Sequence, residues 1–216
     1  KLDSLMEEDA RTGFNLPKGP LIRAKIFKLE ESNSVLLMTM HHIVSDGWSV
    51  GVFLRDLCCF YNNHFLETKV ALPTLSFTYK DYVFWQRSLL KESSAVTQLQ
   101  YWKTQLSGIP DYIPLPTDRP YPEMPSYQGG FYEFYLSKEV LQNLKKISQK
   151  RSCSLYMTLL SVFSILLYRY SKLQDIVIGS PVANRTGQHF ENLIGLFLNT
   201  VALRLTLSDT LSFDSL

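Results

Sequence analysis

The chain has 216 residues, of which 45% are hydrophobic and 19% are charged, and its formal net charge is +2. This composition is that of an ordinary globular protein, long enough to bury a core in one large or two small domains. So mild a charge balance does not predict a nucleic acid or membrane partner. Three cysteines, two of them adjacent, give neither a disulfide framework nor a zinc site.

The first elements of the chain are predicted to be a β-hairpin followed by a helix. Residues 20–29 alternate between apolar and polar side chains, which predicts a half-buried strand. After a short polar turn, the apolar run 35–40 predicts a second strand. Apolar residues recur at helical spacing over 50–61. A tight loop at residues 41–47 therefore joins the end of a strand to the start of a helix.

The middle of the chain changes character at a proline-rich stretch. Residues 79–90 and 94–106 predict two further helices. The following segment to Gly130 contains six prolines, which exclude a helix or a central strand. We interpret residues 107–130 as an extended linker between two lobes.

After the linker, strands and helices alternate again. Residues 131–136 predict a strand, and Ser137 is a suitable N-cap for an amphipathic helix. Residues 154–170 predict a buried helix, and 175–179 and 199–207 predict strands. The fold class is therefore α/β, or mixed α+β.

The loop at residues 41–47 is the strongest candidate for chemistry. His41 and His42 are adjacent at a strand end, so their side chains point to opposite faces and only one can face a given cavity. Asp46 and Gly47 follow where the helix begins, and a helix N-terminus offers unpaired N–H groups that can hold developing negative charge. Histidine is the side chain best suited to moving protons near neutral pH.

Two other kinds of site fit the sequence poorly. The two histidines diverge, and no third or fourth ligand stands at a familiar spacing, so we predict no metal. Ser45 and Ser49 lie in no nucleophile-elbow pattern, which disfavours a serine hydrolase.

Five stretches of the chain, in order, resemble motifs of one family, the condensation domains of nonribosomal peptide synthetases, in the chloramphenicol-acetyltransferase-like superfamily. The first, at residues 40–49, is similar to the HHxxxDG signature of that family. The stretches are MHHIVSDGWS (40–49), YKDYVFW (79–85), LPTDRP (115–120), IGSPVANR (178–185) and IGLFLNTVALR (194–204).

The resemblance implies a two-lobed fold with a tunnel between the lobes, and it covers part of that fold. Residues 1–106 correspond to the latter part of an N-terminal lobe with the catalytic loop, and 131–216 to the first part of a C-terminal lobe. An arginine-rich motif and a His-Gln-x-x-Pro-type motif of the family have no counterpart here. The chain therefore resembles about the middle half of a domain, and we expect these 216 residues alone to be inactive and prone to aggregate.

The resemblance also implies a role for each residue of the loop. His42 would face the tunnel and either accept a proton from the attacking amine or position it. Gly47 would offer its backbone N–H to the oxyanion. His41 would point into the fold, and Asp46 would be held by a salt bridge to Arg185.

Four more residues would line the substrate tunnel in a protein of this family. They are Trp48, Ser49, Asn199 and Thr200.

The implied activity is amide formation between a donor acyl or aminoacyl thioester and an acceptor amine. Both substrates would be carried on phosphopantetheine by donor and acceptor peptidyl carrier protein domains. The domain itself would bind no cofactor, an adenylation domain would be its neighbour, and its location would be cytoplasmic. Epimerisation and non-catalytic carrier docking remain alternatives, whereas heterocyclisation is disfavoured because that subfamily replaces the paired histidines with aspartate.

Overall fold

The computed structural model describes residues 1–66, 69–126 and 129–213. Helices and strands intermingle along these residues, so the mixed class is confirmed. The elements are α1 Leu2–Arg11, β1 Ile22–Lys28, β2 Ser34–Met40, α2 Gly47–Phe65, α3 Tyr79–Leu89, α4 Ser93–Gln105, α5 Lys138–Lys150, α6 Leu155–Ser171, β3 Asp175–Val182 and β4 Asn199–Thr206, with short 3₁₀ turns at His42–Val44 and Gln188–Phe190.

The chain divides into two compact units. The first contains Lys1–Thr97 and Pro181–Thr200, and the second contains Gln98–Ser180 and Val201–Leu216. The division of the chain into lobes at residues 106 and 131 stays a prediction.

The predicted hairpin is confirmed, and helix α1 covers one of its faces. Strands β1 and β2 are antiparallel, with Ile22 opposite Met40. From α1, the buried Asp9 reaches this face, where its carboxylate lies 2.7 Å from Lys25 Nζ and accepts a hydrogen bond from Thr39. A buried carboxylate needs such partners, so Asp9 fixes α1 against the sheet.

The alternation in β1 predicts that its apolar side is covered, but the structure covers the other side. Ile22 and Ile26 are 41% and 74% exposed, whereas Arg23 and Phe27 are half-buried. The reason is that α1 lies over the Arg23 side, where the guanidinium donates to main-chain carbonyls of Asp9 and Thr12.

The second unit has a small core and two departures from the predicted elements. Leu167, Ile176 and Leu207 are buried together. Residues 131–136 form no strand; this segment is exposed and lies in no sheet of the described residues. The predicted helix at residues 154–170 is present as α6, with Ser154 as its N-cap, but it is not buried throughout.

The buried side of α6 is rich in small polar residues, and much of its apolar surface is open. Thr158, Ser164 and Leu167 are its buried residues. The large apolar side chains that are about half exposed are Tyr156, Met157, Leu159, Val162, Phe163 and Leu166.

The proline-rich segment contains neither helix nor strand over residues 107–126 and 129–130, as predicted, and Tyr127 and Gln128 lie outside the described residues. No single helix in the described part of the chain is long and apolar enough to cross a membrane; α5 and α6 meet the criterion only jointly, and they are bent by 106° at their junction.

Candidate active site

The two adjacent histidines come directly after β2 and differ in burial and in contacts. His41 is half-buried, its Nδ1 accepts a hydrogen bond of 3.0 Å from the Ile43 N–H, and its ring lies edge-on to Phe14 at 5.8 Å. Because Nδ1 is an acceptor, the neutral ring carries its proton on Nε2. His41 therefore stabilises the 3₁₀ turn that follows it.

His42 is the exposed member of the pair. Its side chain has no hydrogen-bond or ion-pair partner within residues 1–66, 69–126 and 129–213. Both ring nitrogens are therefore free to meet a substrate.

Asp46 is the N-cap of α2 and one of the few buried charges of the first unit. Its Oδ1 accepts the Ser49 N–H at 2.8 Å, and its Oδ2 accepts the Phe197 N–H at 3.0 Å. Arg185 Nη2 lies 3.1 Å from Oδ1, and both side chains are at most 3% exposed. Asp46 therefore joins the histidine turn to a segment about 150 positions later in the chain.

The pKa of Asp46 reflects this surrounding. Burial alone would raise it, but the hydrogen bonds from Ser49, the Phe197 N–H and Arg185 lower the pKa to about 2. The carboxylate is therefore ionised throughout the neutral range.

Arg185 is held by several groups of the same segment. Its Nη1 donates to the carbonyl oxygens of Phe190 and Leu193, and its guanidinium carbon lies 4.0 Å from the centre of the Phe197 ring. Asp46 and Ser49 take hydrogen bonds from Nη2. Only a planar guanidinium can bond in these directions and stack at the same time.

Ser49 is expected to line a tunnel, and that expectation is wrong. The residue is fully buried. Its hydroxyl contacts Asp46, Arg185 and Gly195, so it belongs to the buried network behind the turn. Its neighbours in the sequence are exposed, whereas α2 directs the Ser49 side chain inward.

Helix α3 packs on the segment that holds Asp46. The Tyr79 hydroxyl donates to the Leu196 carbonyl at 2.7 Å. A Cβ on Gly195 would overlap the ring of Tyr79, at 2.8 Å from its Cγ and closer still to Cδ2, so no other residue fits there without movement. Tyr82 and Phe197 are buried in this contact, with ring centroids 4.4 Å apart.

Two more residues of the second motif have packing roles. Asp81 forms a capping box with Thr78 at the start of α3. The ring of Trp85 lies 5.4 Å from that of Phe190. Three sequence stretches, at residues 40–49, 79–85 and 194–198, thus meet in one unit.

Gly47 begins α2 on the exposed side of the turn. No atom of the described residues accepts its backbone N–H, and a Cβ on Gly47 would have no neighbour within 4 Å. Trp48 is half exposed, and its indole N–H donates to the Glu191 carbonyl at 2.9 Å. The turn therefore has an exposed imidazole at His42 and, at Gly47, a backbone N–H without an acceptor among the described residues.

Asn199 and Thr200 lie apart from these hydrogen bonds. Both are exposed at the start of β4, where Asn199 Oδ1 accepts the Thr200 N–H.

The described part of the chain brings no three histidine, cysteine, aspartate or glutamate side chains together as metal ligands.

Sequence reasoning missed three contributors to the site. They are the Phe197 N–H, the Ser49 hydroxyl and the close contact of Tyr79 with Gly195. The motifs contain these residues, but a motif does not say which main-chain atoms meet.

Comparison with known proteins gives the same family throughout. A family model described as condensation domain matches residues 1–216. One of the linear gramicidin synthase polypeptides of Brevibacillus parabrevis is 43% identical over 212 residues, which are 98% of this chain and 4% of that protein. The chain thus spans a small part of the length of this relative.

Solved structures agree with the fold. The X-domain from teicoplanin biosynthesis is 27% identical with a TM-score of 0.88, and the match covers 98% of this chain and 49% of that one. A four-domain nonribosomal peptide synthetase in its holo form, bound to AMP and glycine, is 28% identical with a TM-score of 0.84 over 96% of this chain and 15% of that one.

Proposed function

The chain belongs to the condensation-domain family, and from that premise we propose that it forms an amide bond between a donor acyl thioester and an acceptor amine. Both substrates are carried on the phosphopantetheine arms of peptidyl carrier protein domains, and an adenylation domain is a neighbour in the same synthetase. The observation that carries the proposal is the turn itself, where His42 and Gly47 are exposed while the intervening Asp46 is buried in an ionic network with Arg185.

The reaction requires attack, stabilisation of charge and departure of a thiol. The acceptor nitrogen bonds to the thioester carbon, and the carbonyl oxygen becomes an oxyanion. The Gly47 N–H donates to that oxygen, where a preorganised donor lowers the barrier most. The C–S bond then breaks, the amide forms, and the thiolate takes up a proton.

His42 acts on the acceptor amine. An α-amino group has a pKa of roughly 8, so about a tenth of it is neutral and nucleophilic at pH 7. His42 therefore accepts the proton lost on attack or holds the amine in line, and either role contributes to the rate. His41, Asp46 and Arg185 support the turn.

The first test replaces His42 with alanine in the full-length protein. We expect His42→Ala to abolish amide formation between two loaded carrier proteins, measured by mass spectrometry of the carrier-bound product. His64→Ala is the matched control, because His64 is an exposed histidine further along α2. Wild-type rates in His42→Ala would contradict the role of His42.

The second test uses the open space at Gly47. Gly47→Ala adds a methyl group where the protein has no atom within 4 Å, so stability should not fall. If the substrate carbonyl occupies that space, kcat/KM falls by about 10-fold or more. Gly51→Ala, one turn later and equally unobstructed, is the control; equal activity of the two variants would contradict an oxyanion site at Gly47.

A second function is favoured by one structural likeness, since the X-domain of teicoplanin biosynthesis is also known in a complex with OxyB. By analogy the chain would bind a partner protein, which corresponds to the non-catalytic docking alternative. Binding of loaded carriers with no turnover in the full-length protein would support that function, and turnover of a single loaded carrier with inversion of its stereocentre would support epimerisation.

A further inference from the structure

The Ser49 hydroxyl has four polar neighbours in a fully buried place. Its oxygen lies 2.7 Å from Asp46 Oδ1 and 2.9 Å from Arg185 Nη2. It also lies 2.8 Å from the carbonyl oxygen and 3.1 Å from the nitrogen of Gly195. Ser49 thus contacts Asp46 and Arg185, which form the ion pair, and also the backbone N–H and carbonyl of Gly195.

The hydrogen-bonding capacity of a hydroxyl is used up by these contacts. Its two lone pairs accept from the Gly195 N–H and from Arg185, and its single proton goes either to Asp46 or to the Gly195 carbonyl. Alanine would leave the Gly195 N–H with no acceptor among the described contacts. Because the site is buried, water does not replace the lost partner without opening it.

The position of Ser49 in α2 connects this network to the proposed oxyanion donor. Ser49 is two residues after Gly47, and its own N–H is held by Asp46. Asp46 therefore holds the first turn of α2 at its cap, and the Ser49 hydroxyl attaches the same turn to Gly195. The direction of the Gly47 N–H depends on both attachments.

On the basis of the proposed function, we propose that Ser49 is a positioning residue for the chemical step. Its hydroxyl holds the first turn of α2 against the segment that contains Gly195, so that the Gly47 N–H points at the oxyanion. It touches no substrate, since it is fully buried. Its loss therefore weakens transition-state binding and leaves carrier binding unchanged.

Three variants of the full-length protein separate positioning from stability. Ser49→Ala removes the hydroxyl from the site. Ser49→Thr keeps the hydroxyl but adds a methyl group to a fully packed site, so it lowers the melting temperature at least as much. Ser164→Ala is the matched control, because Ser164 is another fully buried serine and its hydroxyl donates to the Ser161 carbonyl within α6.

Amide formation between loaded carriers gives kcat, and KM for each carrier is measured in the same assay. We expect kcat to fall about 10-fold to 100-fold in Ser49→Ala, with KM unchanged within twofold. Ser49→Thr should keep kcat within about threefold of wild type despite its lower melting temperature, and Ser164→Ala should keep it as well.

Several results would overturn the proposal. If kcat follows the melting temperature across all three variants, or if Ser49→Ala changes KM alone, Ser49 has no positioning role. If Ser49→Thr does not fold, Ser49→Cys replaces it: a sulfur of similar shape but weak hydrogen bonding should lower kcat as alanine does, and wild-type kcat would refute the role. If the wild-type protein forms no amide, the proposed function fails and this role fails with it.

Discussion

Replacement of Asp46 by asparagine is the sharpest probe of the ionic network. Asparagine is as good an N-cap as aspartate, so the bond to the Ser49 N–H can survive. The Phe197 N–H, however, would face an amide NH₂ in place of Oδ2, and Arg185 would remain buried without its counter-charge. The substitution thus removes charge and one acceptor while keeping the shape.

The size of the effect follows from the structure. The pKa of Asp46 falls from 3.8 to about 2 on folding. Compared with the unfolded chain, the folded site therefore favours the ionised carboxyl over the neutral one by about 2 kcal/mol. That preference already includes the hydrogen bond from the Phe197 N–H, and the substitution also leaves Arg185 buried without its counter-charge. The total cost is expected to be about 3–5 kcal/mol, the usual cost of removing one partner of a buried ion pair.

Native-state hydrogen exchange of the full-length protein measures this loss of stability at individual backbone amides. We expect the opening free energies of the Ser49 and Phe197 amides to fall by about 3–5 kcal/mol in Asp46→Asn at pH 7. Because the folded pKa is below the unfolded one, the carboxylate's contribution is complete above about pH 4 and is lost as pH falls towards 2. The difference between wild type and Asp46→Asn should shrink over that range.

The double variant Asp46→Asn/Arg185→Gln tests the cause. Removing the second charge should recover about 1–3 kcal/mol relative to the sum of the two single variants. Opening free energies that are unchanged in Asp46→Asn, or a double variant that is strictly additive, would refute an ion pair as the source of the effect.

Three further outcomes follow from the packing. Gly195→Ala should lower the melting temperature strongly because its Cβ overlaps the Tyr79 ring, and Tyr79→Ala in the same chain should restore part of the loss; no change in Gly195→Ala would contradict the close contact. Tyr79→Phe should cost only about 1 kcal/mol, since it removes one hydrogen bond, and a loss as large as that of Tyr79→Ala would contradict this. Residues 1–216 alone should aggregate, because large apolar side chains such as Phe131 are 89% exposed; a monodisperse, active preparation would refute this.

The sequence predicted most of the elements because each is set locally. The hairpin, the capped start of α5 at Ser137 and the helix after Gly47 all depend on alternation, capping residues or periodicity. It failed for residues 131–136, since a strand needs a partner and pattern alone does not supply one.

The site was predictable in its residues but not in its contacts. The different burial of His41 and His42 does not come from strand alternation, because β2 ends at Met40 and His42 begins a 3₁₀ turn. The pairing of Asp46 with Arg185 was expected from the family resemblance, and the structure places their atoms 3.1 Å apart. The inward position of Ser49 was not expected, because its burial depends on the Gly195 segment, which is 146 positions away. Tertiary contacts of this range leave no local signal in the sequence.

The distance along the chain between the partners of Asp46 also sets an order in biosynthesis. Arg185 is 139 positions after Asp46. At a synthesis rate of about 5–20 residues per second, the aspartate is made roughly 7–28 seconds before its counter-charge. During that interval only the N-cap bond to Ser49 is available to it, because both residues belong to the same turn. The ribosome therefore delivers His41 and His42 early, but the ionic network behind their turn can close only after Arg185 and Gly195 have been translated.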